Sequence, residues 1–74
     1  MVLDGAYPGF DFVGQELDHS TLSGDFTRAD FTRASLVGAD LRKGTFNDAI
    51  FTEANLRGAQ LPGNFWDQVN NSGG

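Results

Sequence analysis

The 74-residue sequence lacks cysteine altogether and contains only two prolines and one histidine. Without cysteine, both disulfides and cysteine-ligated metal sites are excluded. No run of about 18 apolar residues occurs, so no transmembrane helix is predicted. The first residues also lack the basic and apolar regions of a secretory signal peptide. We therefore expect an intracellular protein that is soluble or peripheral to a larger complex.

Lysine and arginine are absent from the first third of the chain. Residues 1–27 hold five carboxylates and no Lys or Arg, whereas all five Lys and Arg residues lie within residues 28–57. The formal net charge is −5, and an acidic surface repels the phosphates of nucleic acids. We therefore expect no direct nucleic-acid binding. The acidic surface either steers the chain toward a basic partner or serves solubility.

Residues that commonly carry catalysis are sparse. His19 is the only histidine, and its neighbours Asp18 and Ser20 cannot form a catalytic relay merely by being adjacent to it. A metal site would need several converging ligands, and the carboxylates are scattered along the chain. No glycine-rich phosphate-binding loop precedes a helix. We predict a protein that is not an enzyme and has no cofactor or metal.

Every fifth residue is Leu or Phe through most of the chain. From Phe26 to Leu61 the series has eight members, and an Ala or Gly stands two positions before each of them. A helix would repeat its apolar residues every 3.6 positions and a strand every 2. A period of five therefore indicates a solenoid, in which each side of a coil sends one large and one small residue inward.

A longer period of twenty residues divides the series into three coils, residues 7–25, 26–45 and 46–65. Corresponding positions of successive coils are aromatic in two columns and Leu in the other two. The first coil is one residue short, because Phe26 follows Leu22 after four positions instead of five. The residues predicted to form this inward core ladder are Tyr7, Phe12, Leu17, Leu22, Phe26, Phe31, Leu36, Leu41, Phe46, Phe51, Leu56 and Leu61.

Three short stretches carry a resemblance to a known family: Ala29-Asp30-Phe31, Ala39-Asp40-Leu41 and Ala54-Asn55-Leu56. They are similar to the motif of the pentapeptide-repeat family, Ala-Asp/Asn-Leu/Phe followed by two mostly polar residues. The sequence resembles that family well over residues 24–63 and loosely over residues 5–23. The resemblance implies an all-β fold, a right-handed quadrilateral β-helix, which here would have about three coils.

A stack of three coils is expected to have two open ends, each with unpaired backbone groups over an apolar core. Residues 1–6 are predicted to form an N-terminal cap, and residues 7–66 a single β-helical domain. Pro62-Gly63 breaks the repeat near its end. Residues 67–74 are predicted to form a flexible, disordered tail, because they are polar and rich in glycine.

Three apolar residues are candidates for contact with a protein partner. Phe65 and Trp66 are adjacent, so both can hardly point inward. Trp66 is either the last rung of the aromatic ladder or an exposed docking anchor. Ile50 occupies a usually polar position and is predicted to lie on the outer wall. Arg33 and Glu53 are predicted to be neighbours on that wall, one coil apart.

These features favour a protein–protein interaction or scaffold module with an unidentified partner. In the first hypothesis the chain is a small accessory subunit that docks on a larger complex. The family it resembles is abundant in cyanobacteria, so a photosynthetic or membrane-associated complex is one version of this hypothesis.

In the second hypothesis, implied by members of that family that resemble duplex DNA, the chain is an acidic regulator of DNA gyrase. A length of about 15 Å for three coils opposes this. In the third hypothesis, copies self-associate by stacking through their open ends.

Overall fold

The computed structural model describes residues 1–69 of the chain. They form three strands, β1 (Val2–Ala6), β2 (Thr21–Asp25) and β3 (Gly44–Thr45), followed by the short helix α1 (Phe65–Gln68). The strands pair in parallel in the order β1-β2-β3. Parallel neighbours need a long connection that brings the chain back to the same edge, and here each connection is one circuit of a β-helix-like coil.

Parallel pairs occur at four places around each circuit. Each pair joins residues nineteen or twenty positions apart, so every side of one circuit lies against the same side of the next. The four sets are Ala6–Asp25–Thr45, Asp11–Asp30–Ile50, Glu16–Ser35–Asn55 and Thr21–Asp40–Gln60. We number these sides 1 to 4 in that order.

Tight turns connect most sides to the next. The amide three positions after a ladder residue donates to the carbonyl of that residue, as Ala34 does to Phe31 over 2.9 Å. The residue second after the ladder residue has a positive φ, which costs a side chain with a Cβ about 1 kcal/mol. Five of these corner residues are nevertheless not glycine, so their strain is offset by the stack: His19, Arg28, Arg33, Asp48 and Glu53.

Carboxylates brace several of these turns. Asp25 accepts hydrogen bonds from the hydroxyl of Thr27 at 2.6 Å and from its amide at 2.9 Å. Asp40 accepts from the guanidinium of Arg42 at 2.9 Å and from its amide at 3.1 Å. These hydrogen bonds hold the pKa of Asp25 below its ordinary value of 3.8. They lower the pKa of Asp40 to about 2.

Acid is expected to destabilise the folded chain in a defined range. Because the pKa of each carboxyl is lower in the folded chain than the unfolded value of 3.8, the stabilisation is complete above that pH and is lost as the pH falls toward about 2. Urea unfolding between pH 6 and pH 2 measures this. Asp25→Asn combined with Asp40→Asn, which keeps an oxygen acceptor, should flatten the curve. An equally steep curve for the double variant would contradict the assignment.

The aromatic half of the core is built from two stacks of rings. Phe12 and Phe31 lie 4.8 Å apart with planes 8° from parallel, and Phe31 and Phe51 lie 4.7 Å apart at 11°. In the second stack, Phe26 lies 5.2 Å from Phe46 at 12°. The spacing follows from the distance of about 4.8 Å between paired strands. Each ring therefore fills the space between the rings of the adjoining circuits.

Burial of the ladder follows position along the stack. Nine of the twelve ladder residues are buried, and these nine are Phe12, Leu17, Leu22, Phe26, Phe31, Leu36, Leu41, Phe46 and Phe51. Tyr7, Leu56 and Leu61 are half-buried and pack against this core. Because these three belong to the terminal circuits, the coil has an incompletely covered core at both ends.

The missing residue of the first circuit lies in the corner spanned by β2. Thr21 pairs with Asp40, nineteen positions later, whereas Gly24 pairs with Gly44, twenty positions later. With one residue fewer, the corner has no tight turn, and β2 runs through it as an extended strand. Gly24 accommodates this path with a φ of 104°, which favours glycine.

The first six residues, predicted to form a cap, cover part of the open end as a strand. β1 lies beside β2 as a parallel strand, with Leu3 opposite Leu22 and Gly5 opposite Gly24. Leu3 and Tyr7 are four positions apart, so β1 repeats the short corner of β2. The segment extends the wall at sides 4 and 1 and leaves sides 2 and 3 of this end open.

The chain beyond the last circuit also differs from the predicted flexible tail. α1 includes residues 67 and 68, and Gln68 attaches it to the coil. The side-chain oxygen of Gln68 accepts from the amide of Phe46 at 2.9 Å, and its carbonyl accepts from the amide of Asp48 at 2.7 Å. Residues 70–74 of the predicted tail lie outside the described residues. Nowhere in residues 1–69 does a helix reach the length and apolarity of a membrane span.

Candidate functional site at the ends of the coil

The large apolar side chains that are exposed within residues 1–69 belong to the two ends of the coil. Met1, Val2 and Phe10 are exposed at the N-terminal end, and Trp66 is exposed at the C-terminal end. We call the surface formed by residues 1–20 the N-terminal end, and that formed by residues 49–69 the C-terminal end. Because exposed apolar patches mark interaction surfaces, the ends are the candidate sites.

At the C-terminal end, the side chain of Phe65 is buried and that of Trp66 is exposed. Phe65 is 1% exposed, and its ring lies 5.7 Å from Phe46 and 5.0 Å from Phe51. Trp66 is 54% exposed, and its ring meets that of Phe65 edge-on at 4.9 Å. The aromatic residue that covers the ladder is therefore Phe65. The expectation that Phe65 is a contact residue is wrong for this structure, because its side chain lies inside the core.

The rest of the C-terminal end combines apolar side chains with open backbone donors. Leu56, Leu61 and Val69 are half-buried there. The amides of Phe51, Glu53, Leu56, Gly58 and Leu61 donate to none of the described residues. One circuit earlier, the amide of Phe31 donates to the carbonyl of Ile50 at 2.7 Å. This end is thus an unpaired sheet edge beside an apolar surface, which an added chain can extend.

The outer wall is polar by comparison. Ile50 is half-buried on side 2, where it pairs with Asp30, and its contact role stays a prediction. Arg33 and Glu53 approach to 4.0 Å across neighbouring circuits, with side chains 63% and 69% exposed. Such an exposed pair is worth roughly 0–1 kcal/mol. The pair therefore favours the observed alignment of neighbouring circuits but adds little to the stability of the fold.

The N-terminal end is also an unpaired edge. The carbonyls of Asp11, Val13, Glu16 and Asp18 accept no hydrogen bond from the described residues. Phe10 stands where a small residue is expected. It is 50% exposed, and its ring lies 5.2 Å from that of Tyr7. The amides of Asp11 and Glu16 on the same edge also donate to none of the described residues, so this end offers both acceptors and donors.

His19 occupies an exposed corner with a φ of 61°. The neighbouring carboxylate of Asp18 instead accepts from the hydroxyl of Ser35 at 2.5 Å and from the amide of Val37 at 3.0 Å. These bonds lower the pKa of Asp18. Among residues 1–69, no three His or carboxylate side chains converge as metal ligands, and no concave pocket is present.

Sequence reasoning missed three features of this site. Leu3 was not recognised as a ladder position, although the spacing of Leu3, Gly5 and Tyr7 repeats that of Leu22, Gly24 and Phe26. The short helix gave no signal, because its four residues lie below the length that periodicity detects. Unpaired backbone groups were predicted at both ends, but which amides and carbonyls they are follows only from the observed pairing.

Comparison with known protein families shows a match to the pentapeptide repeats. Eight copies are recognised over residues 25–63, which is more than half of the chain. The matched region contains the second circuit and nearly all of the third, and it leaves β1, α1 and most of the first circuit outside. No curated protein matches the chain.

Proposed function

Since the chain belongs to the pentapeptide repeat family, whose members are typically structural or interaction modules, we propose that it is a non-enzymatic module that docks on a larger protein assembly. Its coil is then the right-handed four-sided β-helix of about three circuits that the repeat implies. The docking surface is the C-terminal end, and the chain serves there as a small accessory subunit.

The exposure of Trp66 carries this proposal. A Trp that is 54% exposed leaves much of a large apolar ring in water, and tryptophan is among the residues that most often dominate binding energy. Phe65 holds the ring against the core from behind, so little side-chain freedom is lost on binding. Open amides and half-buried leucines lie on the same end, and a partner that covers Trp66 can also pair with them.

A separate protein fits this end better than a second copy in an uninterrupted stack. Val2 lies one circuit before Thr21, and Gln60 occupies the same side of the last circuit. Suppose that the first circuit of a second copy paired with the last circuit of the first copy along sides 2 and 3. Val2 of the second copy would then occupy the position that Gln60 of the first copy already fills. Unbroken stacking would thus require β1 or residues 60–68 to be displaced.

Site-specific photocrosslinking tests the proposal. A benzophenone amino acid replaces Trp66 in one variant and the exposed wall residue Arg33 in a second. Both variants are expressed in the source organism and irradiated. We expect position 66 to crosslink to one protein or one assembly that position 33 does not reach. Crosslinking from position 33 alone would place the contact on the wall and overturn the assignment to the end.

A further inference from the structure

We propose that the N-terminal end is a second docking surface, which takes an extended, basic segment of a partner protein. The segment would lie along sides 2 and 3, pair with the open carbonyls, and place Lys or Arg side chains against the carboxylates. The chain would then be an adaptor, with a different contact at each end of the coil.

The backbone at this end has free hydrogen-bonding groups on sides 2 and 3. Inside the coil, the carbonyls of Asp30 and Ser35 accept from the amides of the preceding circuit at 2.7 Å. The equivalent carbonyls of Asp11 and Glu16 accept from none of the described residues. β1 covers sides 4 and 1 but stops short of them. An extended segment can therefore add to sides 2 and 3 as another strand.

Charge selects the kind of segment. Asp11, Glu16 and Asp18 are exposed on the two open sides, and residues 1–27 contain no Lys or Arg. Free carbonyls and carboxylates both attract donors, so a segment with ammonium or guanidinium groups is matched and an acidic segment is repelled. The ring of Phe10, 50% exposed, adds an apolar and cation–π contact for the stem of such a side chain.

The two ends therefore differ in what they bind. Both ends present unpaired backbone groups, but the C-terminal end adds Trp66, whereas the N-terminal end adds Phe10 and three exposed carboxylates. The last circuit carries both signs of charge in Asp48, Glu53 and Arg57, so it does not select for basic partners in the same way. Binding at the N-terminal end is thus independent of the function proposed for the C-terminal end, and only the adaptor role rests on it.

Titration of the complete chain with two short peptides tests this inference. The probes are the acetylated and amidated hexapeptides Lys-Val-Lys-Val-Lys-Val and Glu-Val-Glu-Val-Glu-Val. Amide chemical shifts report both affinity and position. We expect binding of the basic peptide alone, with the largest shifts in residues 10–19. Asp11→Asn combined with Glu16→Gln should weaken binding about fivefold, because it removes two carboxylates at nearly unchanged shape.

Two matched controls complete the experiment. Asp48→Asn combined with Glu53→Gln removes the same charge from the last circuit and should leave the peptide affinity nearly unchanged. Trp66→Ala should also leave it unchanged, which separates this result from any failure at the C-terminal end. Equal weakening by both charge-removing pairs would show a general attraction to an acidic protein and overturn the proposal. Absence of binding, or equal binding of the acidic peptide, would also overturn it.

Discussion

Replacing Phe31 with Ala is expected to lower the free energy of unfolding by about 4 kcal/mol. The ring of Phe31 is fully buried and is stacked between Phe12 at 4.8 Å and Phe51 at 4.7 Å. Its removal would leave a cavity in the middle of a rigid stack, where the strand spacing prevents the neighbouring rings from closing the gap. Urea unfolding monitored by circular dichroism measures the loss.

Phe10→Ala is the matched control for this prediction. It makes the same chemical change at a ring that is 50% exposed, and we expect a loss of about 1 kcal/mol. If Phe31→Ala fails to fold, Phe31→Leu, with an expected loss of about 1 kcal/mol, still measures the effect. Equal losses for Phe31→Ala and Phe10→Ala would contradict the stacked core.

Replacing Gly24 with Ala is expected to cost about 3 kcal/mol and to detach β1 from the coil. A Cβ at Gly24 would lie 2.1 Å from the carbonyl oxygen of Gly5, and the φ of 104° disfavours any side chain. Because the clashing atom belongs to the backbone of β1, it cannot move aside by a change of rotamer. Hydrogen exchange should show protection lost in residues 2–6 together with the lower stability.

Gly58→Ala separates the cost of the positive φ from the cost of the clash with a neighbouring strand. Gly58 has a φ of 69°, but a Cβ there would meet no atom closer than 3.9 Å. We expect only the backbone strain, about 1 kcal/mol, with β1 still protected. A loss at Gly24 no larger than that at Gly58 would mean that β1 does not lie against β2.

Much of the coil could be predicted because its signal is periodic. Each ladder position recurs at nineteen or twenty residues, and the observed pairs of Asp11, Asp30 and Ile50 have the same separations. The four-residue interval between Leu22 and Phe26 located the shortened corner for the same reason. A fixed period determines which residues of successive circuits lie next to each other. The pairing register and the burial of the ladder residues could therefore be predicted from it.

The ends could not be predicted in the same way, because they break the period. The sequence left open whether Trp66 is the last rung of the ladder or an exposed anchor. The outcome depends on α1, whose place is fixed by hydrogen bonds from Phe46 and Asp48 to Gln68. The strand conformation of residues 2–6 was not predicted, since the short corner that β1 repeats appears only when Gly5 is aligned with Gly24. The candidate docking surfaces lie at these same irregular places.

The crosslinking yield at position 66 relative to position 33 tests the central claim most directly, namely that the coil contacts its partner through an end and not through a wall. We predict a partner adduct that forms efficiently from position 66 and only at background level from position 33. Comparable yields of the same adduct from both positions, or an adduct from position 33 alone, would contradict the claim.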